Sequence, residues 1–125
     1  MADKKILLVD DQNTVIMMEK MMLREAACDL VIARNGEEAV AKALSERPDL
    51  IILDVVMPLM DGVEACRRIR AQEHNKTIPI LMVTTRGEAT NVQAGRDAGC
   101  TEYVTKPFNA VDLLNKVRGY LRGTR

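Results

Sequence analysis

Residues 50–62 read LIILDVVMPLMDG. Four aliphatic residues run straight into a carboxylate, Asp54, and a Met-Pro step and an Asp-Gly pair follow closely behind. A short apolar run bounded by turn signals is the mark of a buried strand, and the Pro-Asp-Gly chemistry turns the chain at once. Asp54 therefore stands at the carboxyl end of an interior strand, where a charge is costly unless something meets it.

The same rhythm continues on both sides of this stretch. Strands are expected at KILLVD (5–10), DLVIA (29–33), DLIILD (49–54), IPILMVT (78–84) and EYVT (102–105). They are apolar nearly throughout, as strands covered on both faces must be. Helical patterns fill the gaps at 13–27, 36–46, 62–72, 88–98 and 110–121. Asn35-Gly36, Pro48, Pro58, Gly62, Pro79, Gly99 and Pro107 punctuate the joins. Strictly alternating strands and helices predict an α/β fold, a doubly wound (βα)5 unit with helices on both faces of a five-stranded parallel sheet. With 125 residues and no linker or repeat, the chain is read as one domain over 1–125.

Composition narrows the function classes. Hydrophobic residues make up 47% and charged residues 29%, the mix of a soluble globular domain. The 18 Lys and Arg equal the 18 Asp and Glu, so no basic field gathers nucleic acid, and direct nucleic-acid binding is not expected. No apolar run reaches the length of a membrane span, and MADKKILLVDD meets charge too early for a secretory signal. Cys28, Cys66 and Cys100 are an odd set without a CxxC pair, which suits reduced thiols packed as small hydrophobes and a cytoplasmic location.

In open sheets of this kind, ligands collect beyond the carboxyl ends of the strands. The first strand ends in Asp10 and Asp11, the third in Asp54, the fourth in Thr84 and Thr85, and the fifth runs into Thr105 and Lys106. Three carboxylates brought within a few ångströms repel unless a cation sits among them. A hard, oxygen-only set with open positions suits Mg2+, with Mn2+ as an acceptable substitute. Under those conditions Asp54 can serve as a covalent phosphoryl acceptor, with Lys106 as a compact positive charge for a phosphoryl oxygen and Thr84 as a hydrogen-bond donor to another.

Four separated motifs, VDD (9–11), DVVMPLMDG (54–62), MVTT (82–85) and VTKPF (104–108), occur in this order on this frame. Through them the chain resembles, over essentially its whole length, the receiver domains of two-component response regulators. The resemblance implies the flavodoxin-like strand order 2-1-3-4-5. It makes Asp10 and Asp11 the acidic metal pocket, Asp54 the phosphoacceptor, the backbone carbonyl of Val56 a further Mg2+ ligand and Lys106 the phosphoryl-binding lysine, with a cis Lys106-Pro107 bond. Thr84 becomes the switch hydroxyl and Tyr103 the switch aromatic, which follows the threonine inward and remodels the face of helix 4, strand 5 and helix 5.

The implied partners are a sensor histidine kinase or phosphotransfer protein, which donates the phosphoryl group, and a downstream protein target at that remodelled face. The regulator would be a monomer or a phosphorylation-dependent dimer. The chain would be a signalling phosphoacceptor rather than an enzyme, limited to its own phosphorylation and slow dephosphorylation. The start MADKK and the end RGYLRGTR suggest a free-standing regulator; a receiver cut from a longer protein with an output domain is the alternative. An aspartate-nucleophile phosphohydrolase of similar architecture would carry a second acid two residues after the nucleophile, where this chain has Val56.

Several positions qualify the resemblance. The Val56 side chain cannot orient an attacking water, Thr85 should crowd the phosphoryl site, and Arg86 is placed to pair with the phosphoryl group or cover it. Together they predict a long-lived phosphorylated form. Elsewhere, the first helix is expected to turn Val15, Met18, Met22 and Ala26 to the sheet at 100° per residue, leaving Met17 and Met21 outside. Arg67, Arg68 and Arg70 read as a solvated face, and His74 as part of a solvated loop.

Overall fold

In the computed structural model, the chain forms β1 (Lys5–Val9), α1 (Asn13–Met22), β2 (Asp29–Ala33), α2 (Gly36–Glu46), β3 (Leu50–Asp54), α3 (Gly62–Arg70), β4 (Ile80–Thr85), α4 (Val92–Asp97), β5 (Glu102–Lys106) and α5 (Ala110–Gly123). Short 3-10 turns stand at Arg24–Ala26 and Glu73–Asn75. The structure describes residues 4–26, 28–55, 60–85, 92–106 and 109–123, with the backbone alone at Thr84, Thr85, Val92, Lys106 and Gly123.

The five strands pair in parallel in the order β2-β1-β3-β4-β5. Alternation along each strand divides the core in two. Leu7, Val9, Ile51, Leu53, Ile80 and Met82 point to the side covered by α2 and α3, where Ala39, Ala43, Ala65 and Cys66 let the helices come close. Ile6, Leu8, Leu50, Ile52, Leu81 and Val83 point to the other side, covered by Leu113, Val117 and Leu121 of α5 together with Leu23. A sheet buried on both faces explains why its strands are apolar without alternation in the sequence.

Helix starts follow local chemistry. Asn35 caps α2 by accepting from the Glu38 N–H at 2.8 Å, and Asp61 caps α3 by accepting from the Glu64 N–H at 2.9 Å. Asn109 accepts from the Val111 and Asp112 N–H groups at the start of α5. Gly62 is needed for close approach: a Cβ there would lie 2.2 Å from the Asp54 carbonyl oxygen. That contact, with the Gly62 N–H donating to the Val55 carbonyl at 2.8 Å, packs the start of α3 against the end of β3.

Four expectations need correction. The first helix ends at Met22 rather than at 27, and its buried residues are Ile16 and Glu19, followed by Leu23 just past its end. Met18 is 47% exposed, so the stripe through Val15 and Met18 does not face the sheet, although Met22 and Ala26 do pack at the core margin. Met17 and Met21 are outside, as expected. Arg70 is not part of a solvated face: its guanidinium donates to the carbonyls of Gly99 at 2.8 Å, Asn75 at 3.0 Å and Ile78 at 2.6 Å. His74 lies on the 3-10 turn, half-buried, 3.4 Å from the Ala43 carbonyl.

Cys28, Cys66 and Cys100 form no disulfide, and burial pushes the Cys66 thiol up to about 11, which keeps it protonated and inert. Among the described residues no helix is long and apolar enough to cross a membrane.

Candidate functional site

Parallel strands bring their carboxyl ends to one edge, and β1 and β3 are neighbours there. Val9 pairs with Leu53, so Asp10 and Asp54, the next residue of each strand, emerge side by side. The carboxylates of Asp10, Asp11 and Asp54 converge, with one ligand oxygen from each lying within 4.8 Å of the others. Asp10 is 1% exposed and Asp54 7%, while Asp11 is open to solvent.

These acids do not cap helices. The residue before α1 is Gln12, whose side chain makes no capping bond. Asp10 holds the turn from within, its Oδ1 accepting from the Gln12 N–H at 2.9 Å. The contrast with Asp61 is informative, because both acids of DVVMPLMDG sit at turns and only Asp61 is used as a cap. Two buried carboxylates and one exposed one, all oxygen donors opening to solvent on one side, form a donor set that fits a small hard divalent cation.

Thr84 and Thr85 close β4, where Thr84 pairs with Thr105 and Thr85 with Lys106 of β5. Asp54 pairs with Val83, one step short of Thr84. The backbone thus brings Asp54, Thr84, Thr85 and Lys106 to the same edge as Asp10 and Asp11. Val56, Arg86, Pro107 and the side chains of Thr84, Thr85 and Lys106 lie outside the described residues, and with them the expectations for the Val56 carbonyl and the Lys106-Pro107 bond.

Tyr103 extends from β5 into the cluster on the α3 side of the sheet, near Cys66 and Cys100. Its phenol oxygen accepts from the Gly95 backbone N–H, and burial pushes the phenol above its usual range, with the two thiols adding to the effect. Sequence reasoning missed the Arg70 clamp and Gly95 of α4 in this region and, elsewhere, the buried Glu19 of α1. Only Gly95 left a legible signal, a glycine inside a helical pattern.

The response regulator receiver domain model matches residues 6–118. The alkaline phosphatase synthesis transcriptional regulatory protein PhoP of Bacillus subtilis is 39% identical over 120 residues, covering 96% of this chain and 49% of that protein. The transcriptional regulatory protein ResD of the same organism is 40% identical over 120 residues, with coverage of 96% and 49%. The chain spans about half the length of these relatives. Among solved structures, Vibrio cholerae chemotaxis protein CheY4 superposes with a TM-score of 0.88 at 39% identity, covering 95% of this chain and 99% of that one. The receiver domain of the Pseudomonas aeruginosa sensor histidine kinase PA1611, with a magnesium ion coordinated in its active-site cleft, gives a TM-score of 0.89 at 30% identity, covering 97% and 99%.

Proposed function

The chain belongs to the response regulator receiver domain family, a phosphoacceptor of two-component signalling rather than a catalytic enzyme, and from that premise we propose that Asp54 is its acceptor. The observation that carries this reading is the convergence of Asp10, Asp11 and Asp54 within 4.8 Å at the carboxyl edge of the sheet.

A carboxylate oxygen of Asp54 attacks the phosphorus of a phosphohistidine on a sensor kinase or phosphotransfer protein. A P–O bond forms, the P–N bond breaks, and the imidazole nitrogen leaves with the electron pair and takes up a proton. Asp10, Asp11, Asp54 and the Val56 carbonyl would hold a divalent cation, Mg2+ or Mn2+, which would supply positive charge to the phosphoryl oxygens. Lys106 gives a second positive charge and Thr84 a hydrogen bond, so that the transferring group is met from the β4 and β5 strand ends. Val56, with an aliphatic side chain, orients no water for hydrolysis of the acyl phosphate to inorganic phosphate, and Thr85 and Arg86 restrict access, so the acyl phosphate is long-lived.

Phosphorylation adds about two negative charges and three acceptor oxygens at one end of β3. Thr84 turns toward them, Tyr103 occupies the space behind it, and the face of α4, β5 and α5 takes the form that a downstream protein recognises. The whole of 1–125 acts as one receiver in the cytoplasm, either free-standing or joined to an output domain of the kind the longer relatives have room for. Crystals soaked with Mg2+ and beryllofluoride test the assignment: the reading requires beryllofluoride joined through beryllium to an Asp54 oxygen, and an empty cleft contradicts it.

A further inference from the structure

A glycine in the interior of a helix carries a conformational cost relative to alanine, and Gly95 stands inside α4. Gly95 therefore calls for a reason, and the space around it supplies one. A Cβ at this position would lie 2.3 Å from the Tyr103 hydroxyl, 2.6 Å from its Cε1 and 2.8 Å from its Cζ. The aromatic ring fills the place a side chain would take. Gly119 of α5, also inside a helix, has nothing within 4 Å of its would-be Cβ, so helical glycines in this chain do not share one explanation.

The backbone at Gly95 is held on both sides. Its N–H donates to the Tyr103 phenol, and its carbonyl accepts from the Cys100 N–H at 3.1 Å. Next to that bond, the Gly99 N–H reaches the Arg96 carbonyl at 3.0 Å with Gly99 at φ +105, which closes the end of α4 in a Schellman arrangement. Beyond it, the Gly99 carbonyl accepts from Arg70 at 2.8 Å and the Ala98 carbonyl from the Cys66 thiol at 3.6 Å. A side chain at 95 thus meets a helix anchored through several backbone bonds on one side and, on the other, a ring carried on the single side chain of Tyr103. The ring gives way.

We infer that Gly95 is the positioning residue for Tyr103: it opens a notch in α4 that admits the inward ring, and any side chain there expels the phenol and uncouples the α4–β5–α5 face from phosphorylation while leaving Asp54 able to accept the phosphoryl group. The inference rests on the assignment of Tyr103 as the switch aromatic. It adds that the capacity to switch depends on a residue that touches neither phosphoryl group nor metal.

The test uses the full chain labelled with fluorotyrosine. Only two tyrosines are present, so a Tyr120→Phe sample assigns the two fluorine signals. With Mg2+ and beryllofluoride, the wild-type Tyr103 signal should be shielded from solvent. In Gly95→Ala it should stay solvent-exposed, while intact-mass measurement with acetyl phosphate shows phosphorylation equal to wild type. A shielded Tyr103 in Gly95→Ala overturns the inference alone. An exposed Tyr103 in the wild type with the adduct bound overturns the switch assignment and the inference with it. Should Gly95→Ala fold poorly, Gly95→Ala/Tyr103→Ala decides the matter by melting temperature: recovery identifies the ring as the clashing partner, and no recovery refutes the notch.

Discussion

The carboxylates of Asp10 and Asp54 approach within 4.8 Å although they close different strands, β1 and β3, and both are almost fully buried. Two unit charges at that separation repel by on the order of 3 kcal/mol at an effective dielectric of about 20. Such an arrangement is tolerated at a strand end because a cation can relieve it.

Relief should be visible in stability. Millimolar Mg2+ should raise the melting temperature of the wild type through preferential binding to the folded chain. Asp10→Asn keeps an oxygen for the Gln12 N–H at 2.9 Å and removes one charge. In chelator it should be more stable than wild type by about 1–3 kcal/mol, the scale of the repulsion removed, and should lose most of the Mg2+ response. Thermal denaturation of both proteins with and without Mg2+ checks this; a variant that is less stable in chelator and equally responsive to Mg2+ would speak against the site.

On the proposed reading, the lifetime of the acyl phosphate should depend on the residue two places after Asp54. Val56→Asn introduces a group able to orient water, and one hydrogen bond of about 1 kcal/mol gained in the transition state corresponds to roughly fivefold in rate. Loss of phosphoryl label after removal of the donor should be faster in the variant by that factor. Equal decay rates would deny Val56 any part in the lifetime.

Arg70 should matter to stability far more than a surface arginine. Arg70→Met leaves the carbonyls of Gly99, Asn75 and Ile78 without their donor and should cost about 2–4 kcal/mol. Arg70→Lys should recover little, since a point charge cannot reproduce a planar fork. Urea denaturation midpoints give the comparison, and a cost below about 0.5 kcal/mol, the range of ordinary surface substitutions, would refute the clamp.

Glu102 and Tyr120 make a pH-dependent pair on the β5–α5 surface. Hydrogen bonds from Lys116 and Tyr120 hold the Glu102 carboxyl below its ordinary 4.5, and the bond to Glu102 pushes the Tyr120 phenol from 10 to about 12. A depressed carboxyl contributes stability that is present above 4.5 and lost as the pH falls through its folded value; a raised phenol contributes stability that is present below 10 and lost as the pH rises toward 12. Tyr120→Phe should therefore cost about 0.5–1 kcal/mol across neutral pH, the low end for a solvent-screened bond. That difference should shrink at both extremes. A difference independent of pH would remove the pair from the account.

Fold and site differed in how legible they were. β2 and α2 occupy Asp29–Ala33 and Gly36–Glu46, the bounds expected from sequence, because Asn35-Gly36 supplies both a turn and a cap. Asp10, Asp11 and Asp54 were placed together by strand ends alone, since parallel topology forces them to one edge. The facing of α1 was lost because VIMMEKMML is apolar at almost every position, so periodicity carries no phase. Tertiary packing chose Ile16 and Leu23, and took Glu19 between them into the interior, against its polarity. Arg70 was misread for a related reason: its partners are backbone carbonyls, those of Asn75 and Ile78 just beyond α3 and that of the distant Gly99, which no sequence pattern announces.

The central claim is that Asp54 carries the phosphoryl group with divalent-cation support, and peptide-mapped mass spectrometry after incubation with acetyl phosphate tests it most directly. The account predicts one phosphoryl group, on the peptide containing Asp54, formed with Mg2+, suppressed by chelator and missing from Asp54→Ala. Equal labelling of Asp54→Ala, or a phosphoryl group mapped to another residue, would contradict it.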